Sequence, residues 1–96
     1  MLNKEGAWYL YVVRCSDDTL YTGITTDVER RVHEHNNSTK GAKYTRPRRP
    51  VELECWAIFE NRSCASKAEY KFKKKSRKDK KVFIENVELF NTLLKE

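Results

Sequence analysis

The sequence predicts an α+β domain, three β-strands with α-helices packed on them. Three observations predict it. Residues 8–14 alternate with both faces apolar or aromatic, capping signals open three later helical segments, and an aperiodic stretch of residues 36–50 stands between the first helix and the third strand. Ninety-six residues suffice for one small core and not for two. The expectation is therefore a single domain over residues 1–96, with a core of about 8–80 and a C-terminal helix over about 77–95.

The elements follow in order. In "WYLYVVR", Trp8, Leu10 and Val12 point one way and Tyr9, Tyr11 and Val13 the other, which suits the middle strand of a sheet. "CSDDT" is turn chemistry, and "LYTGI" (residues 20–24) forms a hairpin with the first strand. Thr26 and Glu29 make a capping box, so a helix starts near Asp27 and ends around Asn36 and Asn37. "VELECWAIFE" (residues 51–60) is the third strand, with Val51, Leu53, Cys55, Ala57 and Phe59 expected on one face. Ser63 is the expected N-cap of a second helix from Cys64 to about Lys75. Ser76 with Asp79 opens a third, whose Phe83, Val87, Phe90 and Leu94 recur at helical spacing.

Charge narrows the partners. The net charge is +6. "KFKKKSRKDKK" (Lys71–Lys81), which includes Lys73 and Lys74, has eight basic residues and one acid, so the rest of the chain sums to −1. "KGAKYTRPRR" (Lys40–Arg49) adds five cations and no acid. These zones are either a solvated surface or a footprint for polyanions; the tyrosine and prolines of the second favour a shaped nucleic-acid contact. There Tyr44 either stacks on an unpaired base or packs on the domain edge, while Lys43, Arg46, Arg48 and Arg49 contact phosphates. An apolar run of six residues, Trp8–Val13, is far short of a membrane span or a signal-peptide core, which points to the cytoplasm and away from membranes. Cys15, Cys55 and Cys64 lack Cys-x-x-Cys spacing, so they are expected as buried or half-buried residues rather than disulfides or zinc ligands. No obligate protein partner is inferred.

Two helices carry polar residues beside their apolar stripes. On the first, Arg30 falls opposite Val28 and Val32, whereas Arg31 and His35 flank that stripe as an i,i+4 pair; His33 faces elsewhere. On the second, Glu69 sits inside the stripe made by Ala65, Ala68 and Phe72, and is either a structural salt bridge or a site carboxylate. Tyr11 and Tyr21 share a sheet face only if the hairpin connection has odd parity, as a loop of Ser16, Asp17 and Asp18 provides. Gly23 beside Tyr21 is either a strand terminator or a point where a phosphate approaches the backbone. Two tyrosines, an arginine, a histidine and a glutamate are what metal-assisted phosphodiester cleavage can use. A tyrosine deprotonates water, an arginine neutralises phosphoryl charge and a carboxylate anchors hydrated Mg²⁺.

On these residues the chain resembles the GIY-YIG nuclease superfamily, in its small standalone bacterial-type members. Tyr9-Leu10-Tyr11 corresponds to the first element, with Tyr9 in place of its glycine, and Tyr21-Thr22-Gly23 to the second, with Thr22 in place of its isoleucine. The family's arginine falls on Arg31, a histidine four residues on falls on His35, and the helical metal-binding glutamate falls on Glu69. "GAKYTRPRRPVEL" is similar to the standalone group's loop and third strand. The resemblance implies a three-stranded antiparallel sheet flanked by helices and a metal-dependent endonuclease acting on DNA, with branched or single-stranded regions among the candidate substrates. It implies Tyr11 as general base, Tyr21 positioning water and phosphate, Arg31 stabilising the transition state, His35 orienting a phosphate or a tyrosine, and Glu69 holding Mg²⁺ or Mn²⁺. The alternative is a nucleic-acid-binding module with a weak or silent site.

Overall fold

The computed structural model describes residues 6–86 together with 88, 90 and 92. Three antiparallel strands, β1 (Trp8–Arg14), β2 (Leu20–Thr25) and β3 (Glu52–Phe59), form one sheet in the order β2-β1-β3. Helix α1 (Val28–Asn37) lies on one face, and α2 (Arg62–Lys73) and α3 (Arg77–Glu85) lie on the other. The fold is the expected α+β arrangement. β1 is central because both its faces are apolar: Leu10 and Val12 enter the core with α2 and α3, while Tyr9, Tyr11 and Val13 enter the core with α1.

The hairpin has the parity that brings two tyrosines together. Cys15 N–H donates to Thr19 O at 2.8 Å, leaving Ser16, Asp17 and Asp18 as the loop. Asp18 takes the left-handed conformation (φ 68°) that closes such three-residue connections, and aspartate tolerates it better than most residues. Tyr11 consequently pairs with Gly23, and Tyr21 with Val13, on the α1 face.

β3 departs from the expected single face. Val12 pairs with Cys55 but Val13 pairs with Leu53, so Glu54 is an extra residue in the ladder. This bulge reverses the side-chain parity. Cys55, Ala57 and Phe59 pack with α2 and α3, while Val51 and Leu53 pack with α1.

Helix starts also shift. Asp27, not Thr26, caps α1 by accepting from Arg30 N at 3.1 Å, and Asn61, two residues before Ser63, caps α2 by accepting from Cys64 N at 2.9 Å. Ser76 caps α3 as expected, accepting from Asp79 N at 3.1 Å. α3 ends at Glu85 with an extended Asn86, and Phe90 N–H donates to Asn86 O at 3.0 Å beyond it. Val87 and Leu94, placed in this helix by the sequence pattern, lie outside the described residues. Phe72 anchors the larger core edge-on to Phe83 (6.3 Å) and Phe90 (5.6 Å). Cys15 and Cys55 are buried, but Cys64 is exposed in the first turn of α2.

Candidate active site

α1 contributes the centre of the site. Val28 and His35 are its two fully buried residues, so the histidine is the core of the helix contact rather than its flank. An imidazole with no exposure needs partners on both nitrogens, and it has them. His35 Nε2 lies 2.7 Å from Tyr11 Oη, and His35 Nδ1 lies 2.9 Å from Thr45 Oγ1. Thr45 Oγ1 in turn donates to Ala42 O at 3.0 Å. Tyr21 meets the imidazole edge-on with ring centres 5.2 Å apart.

Electrostatics set the protonation states. Burial, reinforced by the Arg31 cation, pulls His35 down to about 4, so the ring is neutral at pH 7. Burial raises the Tyr11 phenol well above the ordinary tyrosine range; Arg31 opposes this, and Tyr21 and Glu69 add to it. The phenol therefore keeps its proton and lies 2.7 Å from one nitrogen of a neutral imidazole. Arg31 and Glu69, from helices on opposite sheet faces, both act on the same phenol.

Arg31 is half-buried, with Nη1 donating to Glu34 Oε1 (2.9 Å) and to Lys40 O (2.8 Å). Glu69 is half-buried, and its Oε2 lies 3.2 Å from Lys73 Nζ at i,i+4. Among the described residues no three His, Cys, Asp or Glu side chains cluster to hold an ion. A lone carboxylate still suits Mg²⁺, which keeps most of its waters and takes one or two carboxylates plus substrate oxygens. Glu69 is the residue that fits; its lysine partner competes for the same oxygen.

Gly23 has a different use from the two expected. A Cβ there would lie 2.6 Å from Tyr11 Oη and 2.8 Å from the ring carbon bearing it. The glycine makes room for the Tyr11 ring itself, not for a phosphate.

The loop between α1 and β3 is tied down along its length. Asn36 clamps Val51 through both amide atoms, accepting from Val51 N (2.7 Å) and donating to Val51 O (3.0 Å). Arg49 is half-buried, and its guanidinium donates to the carbonyls of Glu34, His35 and Ser38 at the end of α1. A phosphate contact by Arg49 would compete with these bonds. Tyr44, 39% exposed, stacks on Tyr21 at 6.0 Å and carries the Arg48 guanidinium 4.0 Å above its ring. It packs on the domain edge. Arg48 also pairs with Asp17 of the hairpin loop at 3.0 Å. Lys43 and Arg46 are exposed, with Arg46 donating to Thr39 O. Lys73, the last residue of α2, and Lys74, its C-cap, are exposed, and Lys74 Nζ lies 4.4 Å from the Tyr70 ring centre.

The partnership of Thr45 with His35, the clamp of Asn36 on Val51 and the buttressing role of Arg49 are absent from the sequence reading. A threonine between Tyr44 and Arg46 looks like any turn residue; the signal that singles it out is a fully buried histidine with a second nitrogen to satisfy.

Residues 7–82 match the family model for the GIY-YIG catalytic domain. The chain is 53% identical over 78 residues to the UPF0213 protein DP2720 of Desulfotalea psychrophila, covering 81% of this chain and 71% of that one. It is 51% identical over 85 residues to a UPF0213 protein from the ldhD 5′ region of Pediococcus acidilactici, covering 86% of each. Among solved structures it is similar to the protein EF2693 from E. faecalis (48% identity, 93% of each chain, TM-score 0.63). It is also similar to the UPF0213 protein BH0048 from Bacillus halodurans (39% identity, 93% and 90% covered, TM-score 0.54).

Proposed function

The chain belongs to the GIY-YIG family, and from that premise we propose that it is a metal-dependent endonuclease that hydrolyses phosphodiester bonds in DNA in the cytoplasm. The single observation that carries this reading is the 2.7 Å contact between Tyr11 Oη and His35 Nε2. A phenol with a raised pKa is a poor base by itself, but not when its own proton has an acceptor. As water attacks phosphorus, its proton passes to Tyr11 Oη while the Tyr11 proton passes to His35 Nε2. The P–O bond to the leaving oxygen breaks, and the tyrosine never carries a full negative charge. Arg31 turns part of its fork from Glu34 and Lys40 O to the phosphoryl oxygens and neutralises their growing charge. Tyr21, edge-on to His35, holds the phosphate and the water at the mouth of the site. Glu69 would hold Mg²⁺ or Mn²⁺, which would supply charge stabilisation at the leaving oxygen. Lys43, Arg46, Arg48, Lys73 and Lys74 provide phosphate contacts around the site.

A second reading has its own support. Tyr11 is 1% exposed and Glu69 is paired with Lys73, as suits a nucleic-acid-binding module with weak or silent chemistry. Labelled duplex, single-stranded, flap and junction DNAs, with and without Mg²⁺, separate the two. The nuclease reading expects metal-dependent cutting that disappears in Glu69→Ala and Arg31→Ala with the fold retained. Salt-sensitive binding with no substrate cut establishes the module, and normal cutting by Glu69→Ala removes the metal role.

A further inference from the structure

We propose that Thr45 is a positioning residue that fixes His35 as its Nδ1–H tautomer, so that Nε2 is the open acceptor for the Tyr11 proton. The consequence for catalysis rests on the nuclease reading above; the tautomer itself does not.

The argument is a count of hydrogens. A neutral imidazole carries one N–H, and the nitrogen that bears it is decided by its neighbours. Nδ1 has two: Thr45 Oγ1 at 2.9 Å and Ala42 N–H at the longer distance of 3.4 Å. The backbone N–H can only donate, so by itself it selects a bare Nδ1 and places the ring proton on Nε2. Thr45 opposes it. Its hydroxyl lies 3.0 Å from Ala42 O, which also receives the N–H groups of Thr45 at 3.1 Å and Arg46 at 3.2 Å; a hydroxyl proton donated there leaves a lone pair on Oγ1 facing Nδ1. The closer contact therefore receives a proton from the ring.

The other end of the ring agrees. Arg31 acts on the Tyr11 oxygen as a donor, and a guanidinium has no acceptor. The phenol proton therefore needs another destination, and it meets Nε2 at 2.7 Å. With the ring proton on Nε2 instead, two donors, Arg31 and Nε2–H, would converge on Tyr11 Oη and its own proton would lose its acceptor. One directional chain satisfies every member: Tyr11 to His35, His35 to Thr45, Thr45 to Ala42 O. His35 and Thr45 are both 0% exposed, so water does not substitute for a missing link.

The test uses the ¹⁵N-labelled full chain at pH 7. Long-range ¹H–¹⁵N correlations distinguish Nδ1–H from Nε2–H, and His33→Gln removes the second imidazole for assignment. The wild-type spectrum is expected to show protonated Nδ1 and bare Nε2. Thr45→Val, which leaves Ala42 N–H as the neighbour of Nδ1, is expected to move the proton to Nε2; Thr45→Ser is expected to keep it on Nδ1. On a DNA substrate, Thr45→Val is expected to lower kcat about 100-fold with KM unchanged, with activity restored in Thr45→Ser. Wild-type protein with the proton on Nε2 overturns the proposal, as does folded Thr45→Val or Thr45→Ala with Nδ1–H retained. Should no DNA be cut, the nuclease reading fails while the spectra still decide the tautomer.

Discussion

Gly23 and Tyr11 are partners across the β1–β2 ladder, and the tyrosine hydroxyl occupies the space where a Cβ of residue 23 would sit, 2.6 Å away. The ring lies back over its own neighbouring strand, and this pose delivers the hydroxyl to His35. In this chain Gly23 thus makes room for Tyr11.

Gly23→Ala forces the Tyr11 ring to move and is expected to destabilise the fold by about 1–3 kcal/mol, as overpacking in a tight core does. Thermal unfolding of Gly23→Ala, Tyr11→Ala and the double variant checks this. The alanine is expected to cost little once the Tyr11 ring is gone, giving a coupling of about 1 kcal/mol or more. Additive effects would show that the ring and the glycine are independent.

His35 couples stability to pH. Its folded-state pKa, about 4, lies below the ordinary 6.5, because burial and Arg31 disfavour the cation. The folded state therefore holds the neutral ring. Its contribution is fully present above pH 6.5 and is lost as pH falls toward 4, by at most roughly 3 kcal/mol. Urea titrations at pH 7 and pH 4.5 are expected to show this loss in the wild type and a smaller one in His35→Gln.

Arg49→Ala strips donors from three carbonyls at the end of α1. The expected cost is about 1–3 kcal/mol from half-buried groups left without a partner. Arg49→Lys is expected to recover only part of it, because an ammonium lacks the planar fork that spans these oxygens. Equal stability of the two variants would argue against the fork.

Lys43 and Arg46 project from the same loop without sharing the interior work of Thr45 and Arg49. If they meet phosphates, each alanine variant lowers DNA affinity and reduces the salt dependence of log K by about 0.9 per contact on duplex. Binding measured between 50 and 200 mM salt checks this, and an unchanged slope removes the residue from the interface.

The sequence shows the site's framework more clearly than its interior. Both faces of Trp8–Val13 are apolar, so β1 reads as a central strand, and three connecting residues after Cys15 are enough to place Tyr11 and Tyr21 on one face. The bulge at Glu54 is not readable in the same way. It depends on how β3 pairs with β1, and an unbroken alternation from Val51 to Phe59 conceals it. The cap of α2 moves because asparagine and serine two residues apart carry the same chemistry, and tertiary packing chooses between them. A helical wheel places His35 beside the apolar stripe but does not reveal that the buried partner is Tyr11, since that contact joins residues 24 apart. Thr45 and Arg49 lie in a stretch without periodicity, where burial is decided by contacts with α1 alone.

The three thiols are unequal in a way that experiments can use. Cys15 and Cys55 are buried and burial raises both, Cys55 to about 12, while Cys64 is exposed at the start of α2. The native protein therefore offers a maleimide dye one attachment point, on the helix that carries Glu69 and the start of the basic run. A fluorophore there would report nucleic-acid docking without any engineered cysteine, and three labels per chain would be expected only after denaturation.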